Sequence, residues 1–200
     1  MKTLIIVDLQ NDFMPGGPLA VKDGDKIVER INELQKKFDL VVATQDWHPA
    51  NHKSFASQHE NQKPFDEISL HDLPQTLWPD HCIQSTKGAE FHRNLDTSKI
   101  EAIFRKGTNP EIDSYSGFYD NARKKSTGLH GYLQERNVSA VFVCGLAADY
   151  CVYFTALDAL SLGYDTTILD ESTKPIDPLN YIDLKDNFRE KGGKISSYIL

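Results

Sequence analysis

Short runs of apolar and β-branched residues recur along the chain and alternate with longer polar or amphipathic stretches. Uninterrupted apolar runs of this length are typical of strands in a parallel sheet that is covered on both faces. The pattern predicts six strands, at Thr3–Val7, Leu40–Ala43, Ala102–Phe104, Ala140–Cys144, Thr166–Leu169 and Lys194–Tyr198.

Residues 25–38 and 153–162 space their apolar side chains as amphipathic helices do. Strands that alternate with helices form βαβ units, and such units build a parallel, doubly wound sheet. We therefore expect one three-layer α/β domain over residues 1–200, with a mainly parallel six-stranded sheet flanked by helices. No internal repeat or linker suggests a second domain.

The segment from Trp47 to His92 lacks clean periodicity, contains several prolines and glycines, and holds six of the seven histidines. A connection of this length inside a compact domain is usually functional. We expect it to fold over the sheet as a long metal-binding loop.

The composition narrows the class of protein. A chain of 200 residues with 40% hydrophobic and 26% charged side chains fits a globular domain. The net charge of −7 argues against a nucleic-acid partner. The first apolar run is closed by Asp8, which is too early for a membrane span or a signal peptide, so we expect a cytoplasmic protein without a membrane partner. Three cysteines without CxxC spacing predict neither a disulfide framework nor a cysteine-based zinc site.

Chemically active residues follow the predicted strands. The first strand ends at Asp8, the second runs into Asp46, the third into Lys106, and the fourth into the segment from Gly145 to Cys151. Ligands of such sheets bind outside the carboxyl ends of the strands. Two acids, a base and a thiol are therefore predicted to converge at one edge.

Cys151 is the candidate nucleophile. It follows a turn of small residues where a helix begins, with Asp149 as a candidate N-cap, so helix amides would stabilise a thiolate or an oxyanion. A nearby Lys106 would favour the thiolate, and Asp8 would accept the thiol proton. The alternatives are a buried structural cysteine, which fits Cys144, a solvated lysine and an aspartate that caps a turn.

The candidate metal ligands are Asp46, His48 and His81. Alternation along an extended segment places the first two on one side, and a remote imidazole completes a carboxylate and two nitrogens. An Asp-x-His triplet alone is a weak signal, because most loop histidines are solvated. Four histidines have no comparable partner spacing and are expected at the surface: His59, His71, His92 and His130.

Aromatic residues lie near these groups in the sequence. They are either core residues or the walls of a flat pocket for a ring-shaped substrate. They are Phe13, Trp47, Trp78 and Tyr115.

Several blocks, in order from residue 3 to about 170, resemble one known family. They read IIVDLQNDF from Ile5, GGPLAV from Gly16, TQDWHPANH from Thr44, LWPDHC from Leu77, RKG from Arg105, DSYSGF from Asp113 and GLAADYCV from Gly145. The chain resembles the nicotinamidase/pyrazinamidase group of the isochorismatase-like cysteine hydrolases. The first and last blocks are typical of the whole superfamily, whereas the blocks around His48 and His81 narrow the resemblance to nicotinamidases.

The resemblance implies a sheet order of 3-2-1-4-5-6 and a catalytic triad of Cys151, Asp8 and Lys106. It also implies a cis peptide bond between Leu146 and Ala147, and an oxyanion hole formed by the amides of Ala147 and Cys151. Among the aromatic residues near the site, we expect Phe13, Trp78 and Tyr115 to line the substrate pocket.

The same resemblance implies one divalent metal ion, zinc or iron with manganese as a further choice, on Asp46, His48 and His81. By spacing, Ser54 would be an additional contact, direct or through water, and His52 competes for that place. The metal would bind substrate and would not activate water.

The implied function is hydrolysis of nicotinamide to nicotinate and ammonia, a step of NAD salvage, through a thioester on Cys151. Pyrazinamide would be a side substrate, and a homo-oligomer is compatible with the sequence. Two alternatives stay open at this stage: a related amidase or isochorismate-type hydrolase acting on another small molecule, and a non-catalytic metal-binding or redox-sensing protein.

Overall fold

The structure is a computed structural model, and it describes residues 1–197. Four α-helices of seven residues or more lie in this range: α1 (Val28–Gln35), α2 (Leu129–Glu135), α3 (Tyr153–Ser161) and α4 (Pro178–Glu190). Eight strands are β1 (Lys2–Val7), β2 (Leu40–Asp46), β3 (Glu67–Leu70), β4 (Leu73–Thr76), β5 (Ile100–Lys106), β6 (Ala140–Leu146), β7 (Asp165–Lys174) and β8 (Lys194–Ser196).

Six strands form the central sheet in the order β5-β2-β1-β6-β7-β8, and all neighbours in it are parallel. Numbered along the chain within this sheet, the order is 3-2-1-4-5-6, so the predicted α/β fold class is confirmed. Each predicted strand overlaps an observed one. In the last prediction, Tyr198 lies outside the described residues.

The sheet separates two apolar cores. Successive side chains of β1 alternate between them, because neighbouring residues of a strand point to opposite faces. Leu4 and Ile6 join one core with α1, whereas Ile5 and Val7 join the other with α3. All four side chains are fully buried, which agrees with the continuous apolar runs of the sequence.

The strand order reverses between β1 and β6, and a crevice opens at such a point. Gly145 lies near the end of β6 with a φ of 111°, and a Cβ atom there would clash with the backbone of Val7. Glycine therefore lets the chain after β6 lie close to the end of β1.

The long connection between β2 and β5 is more ordered than expected. Strands β3 and β4 pair as an antiparallel hairpin within it, and most of their side chains are half-buried or exposed. Within residues 1–197, no helix is long and apolar enough to cross a membrane.

Candidate active site

The carboxyl ends of three strands bring Asp8, Lys106 and Cys151 together. Asp8 follows β1, Lys106 ends β5, and Cys151 lies in the turn after β6. The Asp8 carboxylate, the Asp46 carboxylate and the Cys151 Sγ atom have atoms within 4.8 Å of one another. The predicted convergence of acid, base and thiol is present in the fold.

Lys106 lies at the centre of this cluster and is almost fully buried. Its Nζ atom is 2.8 Å from Asp8 Oδ2, 2.8 Å from Asp46 Oδ1 and 3.3 Å from Cys151 Sγ. It also donates a 3.0 Å hydrogen bond to the Ser114 carbonyl. A buried ammonium needs such partners, because its desolvation is otherwise very costly.

The charge states follow from these contacts. Burial alone would lower the pKa of Lys106, but the carboxylates of Asp46 and Asp8 outweigh it and raise this pKa well above its usual value. Burial raises the pKa of Asp8, and the opposing charge of Lys106 only partly offsets the rise. Burial also raises the pKa of the Cys151 thiol well above its usual value, although Lys106 acts in the other direction. The resting pair is therefore a neutral thiol beside a carboxylate with strengthened basicity.

Cys151 lies in a wide helical turn, Ala148–Val152, which leads directly into α3. The peptide bond between Leu146 and Ala147 is cis. Asp149 does not cap this turn, so the prediction of an N-cap role is wrong. Its carboxylate accepts hydrogen bonds from the backbone N–H groups of Ile176 and Asp177 instead, at 2.9 and 2.7 Å. This acid therefore fixes the loop before α4 against the turn that carries the thiol.

Asp46, His48 and His81 form a second cluster beside the first. Asp46 Oδ2 is 3.2 Å from His48 Nε2 and 3.6 Å from His81 Nε2. A tetrahedral ion with ligand bonds of about 2.1 Å separates its ligands by about 3.4 Å. Two nitrogens and one oxygen thus have the spacing that a divalent ion requires, and all three residues are buried.

The imidazoles are oriented as metal ligands are. His48 Nδ1 bonds to the Gly107 carbonyl at 3.0 Å, and His81 Nδ1 bonds to the Pro79 carbonyl at 2.8 Å. Because a carbonyl only accepts, both Nδ1 atoms carry the proton, and the Nε2 atoms face Asp46. His48 Nε2 is buried without a hydrogen-bond partner among the described residues. A buried nitrogen left in this state fits a ligand for an ion.

The predicted additional contact, Ser54, bonds elsewhere. Its hydroxyl lies 2.7 Å from His52 Nδ1, which leaves His52 Nε2 buried and unpartnered within residues 1–197. Burial and the neighbouring His48 lower the pKa of His52 to about 4. His52 and His48 also form a group with Asp113 that could hold an ion. The Ser54 N–H also donates to His52 Nδ1 at 3.1 Å, so this nitrogen is an acceptor and Nε2 carries the proton of the neutral ring.

A cavity lies over both clusters and is lined by Asp46, His81 and Cys151. Phe13, Trp78 and Tyr115 line it as the sequence predicts. Four further lining residues were missed: Leu19, Asp113, Tyr150 and Ile176.

Tyr150 completes an aromatic wall. Its ring centroid lies 4.8 Å from that of Trp78 and 5.4 Å from that of Tyr115, at steep angles. Its position directly before Cys151 is the signal that could have identified it. Trp47, in contrast, packs under the Arg105 guanidinium at 3.8 Å and does not line the cavity.

The remaining candidates lie away from the centre. Cys144 is fully buried in an apolar core, and burial strongly raises the pKa of its thiol. Three free cysteines are present in residues 1–197, none in a disulfide. The four histidines expected at the surface are half-buried or exposed, and none of them lines the cavity.

A doubly wound α/β domain with a buried thiol, carboxylate and ammonium at its switch point defines a class of hydrolases. The chain belongs to the Isochorismatase domain family, whose pattern matches residues 2–197.

Comparison with individual proteins shows which members of this family the chain resembles. It is 48% identical to the nicotinamidase of Escherichia coli over 179 residues, which cover 88% of this chain and 84% of that protein. The structure of a nicotinamidase/pyrazinamidase of Acinetobacter baumanii has a TM-score of 0.94 at 45% identity, covering 97% of this chain and 94% of the other. The pyrazinamidase of Pyrococcus horikoshii, solved in complex with zinc, has a TM-score of 0.82 at 38% identity, covering 98% and 99%.

Proposed function

We propose that the protein is a nicotinamidase, which hydrolyses nicotinamide to nicotinate and ammonia and accepts pyrazinamide as a side substrate. The observation that carries the proposal is one cavity lined by both the Cys151 thiol and the Asp46–His81 pair. A pyridine or pyrazine carboxamide presents an electrophilic carbon to the thiol and a ring nitrogen to the pair. The identity with nicotinamidases supports the same substrate class.

Asp8 acts as the general base in this mechanism. Its raised pKa suits it to take the proton of a thiol whose own pKa is raised. Lys106 lies next to both groups and stabilises the thiolate as it forms. The thiolate then attacks the amide carbon, and a bond forms between Sγ and that carbon.

The backbone amides of Ala147 and Cys151 are proposed to stabilise the oxyanion of the tetrahedral intermediate, since both residues border the cavity. The protonated Asp8 gives its proton to the departing ammonia, which leaves a thioester on Cys151. Asp8 then accepts a proton from water as the water attacks the thioester. Nicotinate is released, and the thiol regains its proton.

Asp46, His48 and His81 are proposed to hold one divalent ion, for which zinc is the first candidate because a related pyrazinamidase carries it. When bound, such an ion supplies a Lewis acid that recognises a ring nitrogen. The aromatic wall of Trp78 and Tyr150 confines the flat ring beside these residues. A ring held at both ends presents its amide carbon in a fixed orientation, and orientation contributes at most about 7–11 kcal/mol to lowering a barrier.

An ammonia-release assay tests the proposal. Purified protein should release ammonia from nicotinamide, lose this activity on treatment with a chelator, and regain it on addition of zinc. A chelated protein that retains full turnover and an unchanged KM for nicotinamide contradicts the role of the metal. A protein that shows no ammonia release in any state, yet whose Cys151 is readily alkylated, favours the non-catalytic alternative.

A further inference from the structure

The side chain of Gln10 bonds to the backbone of Asp46 through both of its polar atoms. Its Nε2 atom donates to the Asp46 carbonyl at 2.8 Å, and its Oε1 atom accepts from the Asp46 N–H at 2.8 Å. The second Nε2 hydrogen is donated to the Ala89 carbonyl at 2.9 Å. The Gln10 side chain is fully buried. None of these hydrogen bonds involves an atom that takes part in the proposed reaction.

These bonds continue the ladder between β1 and β2 beyond the end of β1. The pairing of the two strands ends with Ile6 opposite Ala43, and the Asp8 N–H then donates to the Thr44 carbonyl. Asp8 has a φ of 46°, and its own carbonyl accepts from the Gln10 N–H. On the β1 side, the N–H and carbonyl of Asp46 therefore have no backbone partner, and a buried peptide group without partners is costly. The side-chain amide of Gln10 bonds to both groups in place of a backbone partner.

The position of the Asp46 backbone matters because its carboxylate serves two neighbours. Oδ1 lies 2.8 Å from Lys106 Nζ, whereas Oδ2 faces the imidazoles of His48 and His81. A short aspartate side chain has little freedom to compensate for a backbone shift. Fixing the peptide of Asp46 therefore fixes where its carboxylate meets the imidazoles.

We propose that Gln10 is a positioning residue for the metal site: it holds the Asp46 peptide in place and so sets the affinity for a divalent ion. The inference rests on the proposed metal site of the preceding subsection. Outer contacts of this kind typically change metal affinity by about 10–100-fold. Gln10 touches neither the ion position nor the thiol in this role.

The chain offers a matched control in Gln45. Its Nε2 atom also donates to the Ala89 carbonyl at 2.9 Å, and its Oε1 atom accepts from Arg105. It is buried like Gln10, but its side chain makes neither of the two bonds to the Asp46 peptide. Gln10→Met and Gln45→Met therefore both remove a bond to Ala89, and only the first removes the bonds to Asp46.

The test measures zinc affinity by competition with a chromogenic chelator, together with the melting temperature of the metal-free proteins. We expect Gln10→Met to weaken zinc binding by 10-fold or more and Gln45→Met to change it by less than 3-fold. At saturating zinc, kcat of Gln10→Met should return close to that of the wild type. If Gln10→Met does not fold, Gln10→Glu serves instead. Glutamate keeps an acceptor for the Asp46 N–H, but it turns an oxygen instead of the NH₂ group toward the carbonyls of Asp46 and Ala89. This variant should therefore weaken zinc binding as well.

Equal zinc affinity in the folded Gln10 variant and in Gln45→Met overturns the inference and leaves Gln10 with a purely structural role. So does a loss of kcat in the Gln10 variant that saturating zinc does not restore. A wild-type protein that binds no zinc overturns the proposed metal site as well, which separates the two failures.

Discussion

Thr44→Val tests the proposed role of Asp8 as the base. The Thr44 hydroxyl donates a 2.6 Å hydrogen bond to Asp8 Oδ1, and both side chains are fully buried. Valine has a similar shape but no donor, so Oδ1 loses this partner. Leaving a buried acceptor unsatisfied costs about 1–3 kcal/mol. The cost falls on the ionised form of Asp8, because the bond is stronger to a carboxylate than to a carboxylic acid.

One pKa unit corresponds to about 1.4 kcal/mol, so the lost bond should raise the pKa of Asp8 further by about one to two units. A base must be ionised in the free enzyme, and a higher pKa means that it is protonated at a higher pH. The acid limb of kcat/KM against pH should therefore move to higher pH by about one to two units. Steady-state kinetics with nicotinamide over a pH series measures this shift.

Thr155→Val is the matched control. Thr155 is also fully buried, and its hydroxyl accepts a 2.8 Å hydrogen bond from the Gly117 N–H, not from a titrating group. This control should lose a comparable amount of stability while its acid limb stays in place. Equal acid limbs in Thr44→Val and wild type would show that the ionisation of Asp8 does not govern this step.

Three further substitutions separate the other parts of the site. Cys151→Ala should lower kcat by about 10⁴-fold or more and leave no acyl-enzyme for mass spectrometry to detect, whereas residual turnover near the wild-type rate contradicts a thioester route. Gly107→Ala places a Cβ atom against the His48 ring, so zinc affinity measured by chelator competition should fall, and unchanged affinity would argue against His48 as a ligand. Asp149→Asn turns an amide NH₂ toward a backbone N–H of Ile176 or Asp177; it should lower stability by about 1–3 kcal/mol in denaturant melts and raise KM more than it lowers kcat. An unchanged KM would show that the position of Ile176 does not shape the pocket.

The groups at the strand ends could be predicted because they depend only on periodicity and topology. Asp8, Asp46 and Lys106 each follow or end an apolar run, and parallel strands place such residues at one edge. The pairing of Asp46 opposite Lys106 in neighbouring strands then fixes their distance. Chain order and register were sufficient for this part of the site.

Other features depend on contacts that a periodicity does not encode. In the hairpin of β3 and β4, apolar and polar residues alternate only weakly, and Pro74 interrupts the second strand. No apolar run therefore predicts the hairpin. The helix α4 buries only Tyr181 and Phe188 of its 13 residues, so it has no clear apolar face in the sequence. The feature that indicates its start is the pair Asp177-Pro178, an N-cap residue followed by a proline in the first turn. The prediction Thr166–Leu169 missed the second half of the observed β7, from Asp170 onward, because that half is polar.

Two of the missed residues, Ile176 and Gln10, depend on a partner that is distant in sequence. Ile176 reaches the cavity because Asp149 holds its N–H group, across 27 positions of the chain. Gln10 reaches Asp46 across 36 positions. A single sequence shows that Asp149 and Gln10 are polar and lie near an apolar run, but not which backbone group each will bind.

Asp46 explains why these outer contacts matter to the chemistry. One of its oxygens bonds to Lys106, which in turn contacts the thiol, and the other faces the two imidazoles. The carboxylate is thus a rigid spacer between the nucleophile and the proposed metal position, and its own backbone is held by Gln10 on one side and by β5 on the other. In the proposed mechanism a flat carboxamide meets both groups at once, so the separation that Asp46 imposes selects for the distance between the amide carbon and the ring nitrogen. The substrate preference proposed for this protein therefore depends on the geometry of one buried aspartate as much as on the shape of the aromatic wall.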